Sequence, residues 1–240
     1  MASPRIYTAQ PLSPGVDIRL ETGPSQHLAR ALRRAPGDPL VLFNGDGLAY
    51  PAEITAIERK LVTVRVGAAE ATDVESPLAI HLGVVVSRGE RMDWVIQKST
   101  ELGVASIAPL YSARGGVRLA GDRADKKRQH WQRVAISACE QCGRNRVPDI
   151  GTPAELEDWI GDNQSNLRLV LHHRSAGALP DRTPDDIALL VGPEGGLAAA
   201  EIEAARAGGW LPLALGPRVL RTETAPLAAL AILQARWGDM

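Results

Sequence analysis

The chain has 240 residues, 45% of them hydrophobic, which is enough for one large or two unequal domains and excludes wholesale disorder. No apolar run is long enough to span a bilayer and "MASPRIYTAQ" has no apolar signal core, so a cytoplasmic protein is expected. The net charge of −1 excludes an unspecific polycationic binder of nucleic acid.

Residues 1 to about 72 read as β-rich. "VDIRLE", "PLVLFNG", "LAYPAEITAIE" and "LVTVRVG" are short, β-branched or alternating, and separated by turn formers. One helix is expected in "SQHLARALRR", with Ser25 as N-cap and "PGD" as the stop. A small barrel follows from that pattern. After the polar "AAEATDVESP" the period changes. "LAIHLGVVV" predicts a strand and "GERMDWVIQKSTELG" a helix with Met92, Val95, Ile96 and Leu102 on one side. "VASIAPLY" is the next strand, residues 123–142 a long helix, and "TPAELEDWI" a helix opened by Thr152 and Glu155 in capping-box register. "LRLVLH", "IALLVG" and "LPLALG" are three further apolar strands. Alternating strands and helices predict an α/β domain with a mostly parallel sheet covered on both faces.

Cys139 and Cys142 share a helical face with Trp131, Val134, Ala135 and Ala138, so both thiols are expected in the core. No second cysteine pair exists to complete a tetrahedral site, and no metal is expected. Residues 88–146 carry twelve Lys or Arg against six Asp or Glu. That excess is either a solvated face of charged helices or an arginine-rich surface for phosphate. Aromatics are only 4%, so recognition of nucleic acid by shape and phosphate fits better than a stacking platform.

Three loops follow predicted strands: "LHHRSAG", "VGPEGG" and "LGPRVLRTETA". Ligands of open α/β sheets sit outside such carboxyl ends. Glycine lets a ligand approach the backbone and proline stiffens the loop. Neither GxxxxGK[ST] nor GxGxxG occurs there, and Glu194 would repel a phosphate. The loops suit a purine without a phosphate chain. His172 and His173 stand at a strand end where they can line a pocket, while His27, His81 and His130 have no partner visible in sequence.

"GPEGGL" at residues 192–197 and "LGPRVLRTETA" at 215–225 resemble the signature loops of the SPOUT methyltransferases. Together with "SRGERMDWVIQKSTELGV" (87–104), "ISACEQCGRNRVP" (136–148) and an N-terminal "PRIY", they resemble the small-subunit rRNA uridine N3-methyltransferase family over essentially the whole chain. The resemblance implies a PUA-like RNA-binding β-barrel domain at 1–73 and a SPOUT methyltransferase domain at 74–240 with a C-terminal trefoil knot. It further implies S-adenosylmethionine as cofactor, 16S rRNA of the small ribosomal subunit as partner, and a homodimer, with no membrane and no metal. The last helix, 223–237, presents Ala225, Leu227, Leu230, Leu233 and Trp237 either to the internal core or to the dimer contact. The family usually has Ser or Thr after "GGL"; Ala198 stands here, and the lost cap should cost about 1 kcal/mol.

The same resemblance assigns roles. Cofactor contact is expected from Leu171, His172, His173 and Arg174, from Val191, Gly192, Pro193, Glu194, Gly195 and Gly196, and from Leu215, Gly216, Pro217, Val219, Leu220, Thr222, Thr224 and Ala225. Arg221 and Glu223 are expected beside the transferable methyl, with Glu223 either a proton acceptor or a helix N-terminal carboxylate. Arg144 and Arg146 pair with phosphate, stabilise the uracil oxyanion, or simply face solvent; Glu140 and Gln141 orient their loop. Arg5, Arg30, Arg33, Arg34, Arg88, Lys98, Arg114 and Arg118 are candidates for the RNA backbone. Competing readings are a non-catalytic RNA-binding or assembly protein on the same fold, and a related enzyme acting on tRNA or on a ribose hydroxyl.

Overall fold

Short β-branched runs pair locally in the first part of the chain, and long apolar runs pair across helices in the second. The computed structural model describes residues 3–72, 74–172 and 179–240. It divides into two units, Met1–Glu75 with Cys139–Val147, and Ser76–Ala138 with Pro148–Met240.

The first unit contains β1 (Arg5–Tyr7), β2 (Asp17–Arg19), α1 (Thr22–Gln26) and a π-helical turn (His27–Ala31), then β3 (Pro39–Phe43), β4 (Leu48–Glu58), β5 (Leu61–Val66) and β6 (Glu70–Ala71). The strands form a sheet in the order β1-β3-β4-β5-β2, with β6 beside β4. Only β1 and β3 run parallel in this sheet. Alternation along β4 and β5 sends Tyr50, Ile54, Val62, Val64 and Val66 into one core with Ile6, Leu20, Leu28, Leu40 and Leu42.

Ser25 is not an N-cap. The helix starts at Thr22, and buried Ser25 accepts the Val62 N–H at 3.0 Å while donating to the Leu20 carbonyl at 3.1 Å. A hydroxyl that satisfies two backbone groups inside a core is worth more there than at a solvated helix end. The stretch then widens into the π turn, leaving Arg33 at φ 51°.

The second unit holds β7 (Ala79–Val85), α2 (Arg91–Glu101), β8 (Ser106–Tyr111), α3 (Asp122–Cys142, whose last residues group with the first unit), β9 (Asp149–Ile150), β10 (Ala154–Glu155) and α4 (Leu156–Asp162). It continues through β11 (Leu167–Leu171), β12 (Asp186–Val191), α5 (Ala199–Ala207), β13 (Leu211–Leu213) and α6 (Ala225–Trp237). All seven strands are parallel, in the order β10-β8-β7-β12-β11-β13 with β9 beside β8. The α/β expectation is met. Central β12 is buried from Ile187 to Val191, as a strand covered on both faces must be. Gly83 in β7 leaves room for the Trp159 ring: a Cβ there would lie 2.6 Å from it.

The capping box expected at Thr152 does not form, because Ala154 and Glu155 extend the sheet beside Leu110 and Tyr111 and the helix begins only at Leu156. Of the two thiols, Cys139 is buried and Cys142 only partly so. Leu230 and Leu233 of α6 are internal, whereas Ile232 is exposed. Among the described residues, no helix is long and apolar enough to cross a membrane.

Within the first unit, segment 139–147 is held by charge. Arg144 is 6% exposed and gives its Nε and Nη2 to Glu75 at 2.9 and 2.7 Å. Burial raises the Glu140 carboxyl above its ordinary pKa, partly offset by the Tyr7 N–H it accepts at 3.0 Å. A carboxyl raised in the folded state contributes stability below its unfolded pKa and loses it as pH rises through the folded value. Glu140→Gln should therefore raise the melting temperature at pH 7 to 8. The difference from wild type should shrink as pH falls below the ordinary carboxylate range, measured by thermal unfolding across pH.

Candidate active site

The parallel register brings the carboxyl ends of β11, β12 and β13 to one edge. The His172 N–H bonds the Leu213 carbonyl at 3.0 Å, fastening two of those ends together. The loop after β12 turns at once: the Gly196 N–H closes on the Pro193 carbonyl at 2.8 Å, with Gly196 at φ 68°, where a Cβ is strained. A Cβ on Gly192 would stand 2.9 Å from the Leu197 side chain, so glycine is needed to fold Leu197 back over the strand end.

Loop 192–197 is anchored from below. Glu201, 3% exposed in the first turn of α5, accepts the Ala198 N–H at 2.6 Å and the Ala113 N–H at 2.8 Å. The half of a capping box that Glu can supply is thus present beside Ala198. Arg114 Nη1 donates to the Gly195 and Leu197 carbonyls, both at 3.2 Å. The second loop, 215–225, bends at Gly216 (φ 91°) and closes a turn in which the Thr224 and Ala225 N–H groups reach the Arg221 carbonyl at 2.9 Å. α6 then starts at Ala225, with Pro226 in its first turn.

The two loops and the strand ends enclose a cavity of about 700 Å³. Its walls include Leu171, Val191, Leu197, Ile202, Leu213 and Leu215. Among the described residues, its charged side chains are Arg91, Arg114, Arg218 and Arg221 against Glu194 and Glu223. Arg91 Nη1 lies 2.6 Å from Glu194 Oε1, and its Nε lies 4.0 Å from Glu223 Oε2. Arg221 Nη1 is 3.9 Å from Glu223 Oε1 and its side chain is 80% exposed. Glu223 accepts from Thr222 Oγ1 at 3.3 Å, and the N-cap residue of α6, Thr224, makes no side-chain capping bond. An apolar slot with backbone edges and two carboxylates can hold a flat heterocycle joined to a cationic group.

Comparison with known proteins gives this cavity a family. Residues 74–234 match the model of an RNA methyltransferase domain, and residues 25–67 that of an RNA methyltransferase PUA domain. The ribosomal RNA small subunit methyltransferase E of Buchnera aphidicola (subsp. Schizaphis graminum) is 37% identical, covering 99% of this chain and 98% of that protein. The chain belongs to this methyltransferase family. A structure of the ribosomal RNA small subunit methyltransferase E from Neisseria gonorrhoeae bound to S-adenosyl methionine is 40% identical with a TM-score of 0.93, each chain covered in full. A Legionella pneumophila structure described as a methyltransferase in complex with the cofactor SAM is 42% identical with a TM-score of 0.96, again over both full chains. The first unit is PUA-like, and the second carries the RNA methyltransferase domain.

Against that family background, the residues expected at the cofactor site separate. Leu171, His172, Val191, Gly192, Pro193, Glu194, Gly195, Gly196, Leu215, Gly216, Val219, Leu220, Thr222 and Ala225 all line the cavity, as do Arg221 and Glu223. Pro217 and Thr224 do not line it and are exposed. His173 and Arg174 lie outside the described residues. Arg218, within the expected stretch 215–220, lines it too, and Arg91, Leu197, Ile202 and Leu213 line it without having been expected. Arg91 stands inside the quoted block at 87–104, but nothing local says that it reaches loops a hundred residues downstream.

The residues expected to touch RNA are more scattered. Arg114 lines the cavity. Arg88 donates to the Gly116 carbonyl, Lys98 pairs with Glu101, and Arg118 makes two bonds to Glu155. In the first unit, Arg5 is half buried over the Phe43 ring and bonded to Arg144 and Asn145, and Arg34 is partly buried. Arg30, Arg33, Gln141 and Arg146 are exposed. Arg144 belongs to the first unit, where it is buried and paired with Glu75.

Glu201→Ala should destabilise the second unit by about 2 kcal/mol, because two N–H groups lose a charged acceptor. Urea unfolding measures this, and a loss below about 0.5 kcal/mol would show that the loop stands without it.

Proposed function

We propose that this protein transfers the methyl group of S-adenosylmethionine to N3 of a specific uridine in 16S rRNA of the small ribosomal subunit. The observation that carries the reading is the cavity between loops 192–197 and 215–225, built from apolar walls, backbone edges and two carboxylates. Relatives at 40% and 42% identity whose structures hold the cofactor, and the small-subunit rRNA named in the relatives' descriptions, support it. The sequence blocks at 87–104 and 136–148 support uridine N3 over other targets.

The residues fit the cofactor. Leu171, Val191, Leu213 and Leu215 offer a purine its apolar contact, and the loops offer its edge backbone groups. Glu194 and Glu223 suit the positive charge of a sulfonium or an ammonium. When bound, the cofactor supplies an activated methyl group. The protein's part is then placement and charge. Uracil N3 lies on the Watson–Crick edge, so the base must be unpaired to enter. With the cofactor bound, transfer to N3 would require the N3 proton to leave, and the proposed acceptor is the Glu223 carboxylate. Its place on the cavity wall, with Arg91 and Arg221 near its oxygens, supports that role. Arg221 and Arg218 are proposed to stabilise the negative charge that develops on the uracil oxygens.

The proposal extends to topology and assembly. Insertion of β12 between β7 and β11, with β13 returning beside β11, supports a trefoil-knotted C-terminal half. The first unit, taken as a domain ending near residue 73 and closing as a PUA-like barrel, is proposed to bind RNA through exposed Arg30, Arg33 and Arg146. Exposed Trp94 and Ile232, on the mutually packed α2 and α6, support a homodimer. A cytoplasmic location, where ribosomal subunits are found, is part of the proposal.

Purified small subunits incubated with isotope-labelled cofactor should gain one methyl, identified as 3-methyluridine by nucleoside mass spectrometry, while tRNA gains none. Label on tRNA or on ribose would reassign the substrate. Arg221→Ala should lower transfer by roughly 10²- to 10³-fold without changing the melting temperature. Unchanged turnover would refute its placement beside the reacting groups.

A further inference from the structure

Arg91 opens α2, on a segment that supplies no other wall of the cavity, yet its guanidinium meets both cofactor-site loops. Nη1 holds Glu194 of loop 192–197 at 2.6 Å, and Nε faces Glu223 of loop 215–225 at 4.0 Å. Glu223 in turn has Thr222 Oγ1 and Arg221 beside it. The result is a chain of alternating charge, Glu194–Arg91–Glu223–Arg221, laid across the cavity wall.

We propose that Arg91 is a positioning residue that ties the two loops together and aims the Glu223 carboxylate, so that cofactor binding and proton removal depend on it. The proposal rests on the reading of the cavity as the S-adenosylmethionine site. Three observations carry it. First, the tie is between side chains with about half their surface exposed, 44% for Arg91 and 49% for Glu194, so it adds little to folding. Its consequence falls on the site, where Arg91 is the cation that stands between two carboxylates carried on separate loops. Second, arginine suits the geometry. Its planar fork offers Nη1 to one carboxylate and Nε to another, whereas the single ammonium of lysine serves one at a time. Third, loop 192–197 already has a separate anchor in Arg114 and Glu201, neither of which bonds Glu223. Arg91 therefore adds something that anchor does not: a link to the loop bearing the proposed proton acceptor.

The test uses the full-length protein and three measurements: S-adenosylmethionine affinity by calorimetry, steady-state methyl transfer to small subunits, and thermal unfolding. Arg91→Ala should weaken cofactor binding about tenfold and lower kcat, with the melting temperature and the KM for the subunit unchanged. Arg91→Lys should recover part of the affinity. In a Glu194→Gln background, Arg91→Ala should cost far less affinity than in the wild type, because the partner it acts through is already neutral. Arg91→Ala that binds and turns over like wild type overturns the proposal, as does a loss that is the same in both backgrounds. A wild-type protein that binds no S-adenosylmethionine overturns the cofactor reading and this proposal with it. Normal wild-type binding with an indifferent Arg91→Ala variant overturns this proposal alone.

Discussion

Parallel pairing of β12 with β7 on one side and β11 on the other is the constraint from which the site follows. In a parallel sheet every strand ends on the same edge, so the loops after β11, β12 and β13 must emerge together. Ile187 to Val191 can occupy the middle of that sheet because each of the five is apolar and buried. A polar residue in that run would face a dry interior with no partner. The core thus fixes where the loops start, and glycines at 192, 196 and 216 decide how sharply they turn.

Charge then does what shape cannot. The cavity carries four arginines and two glutamates among its described lining residues. An adenosyl sulfonium is a cation and RNA is a polyanion, so the two halves of the reaction need opposite surroundings. Glutamates and arginines side by side in one cavity offer groups of both signs. The burial of Glu201 and its two N–H partners keeps one loop rigid enough for the arrangement to persist, a preorganisation that costs nothing at the moment of reaction.

Much of this was legible in the residues, and the limits are physical. The apolar strands announced themselves because a doubly covered strand has no polar face to obscure it. The loops announced themselves because glycine and proline in sequence mark backbone geometry directly. Ser25 misled because its hydroxyl has two possible uses, and only the packing of Val62 against it decides between them. Thr152 misled because a two-residue strand, paired with Leu110 and Tyr111, delayed the helix. Arg144 read as a free cation because Glu75, its partner, lies far away in sequence. Arg91 went unassigned for the same reason: a bridge between distant loops leaves no local pattern. Periodicity reports which face of an element is buried, and it is silent about which distant side chain arrives there.

A crystal structure of the protein soaked with S-adenosylmethionine tests the central claim most directly. The account predicts density for the adenosyl group against Leu171, Val191 and Leu215, with the sulfonium on the side of Glu223 and Arg221. Density elsewhere on the molecule, or a cavity that stays empty at saturating ligand, would contradict it.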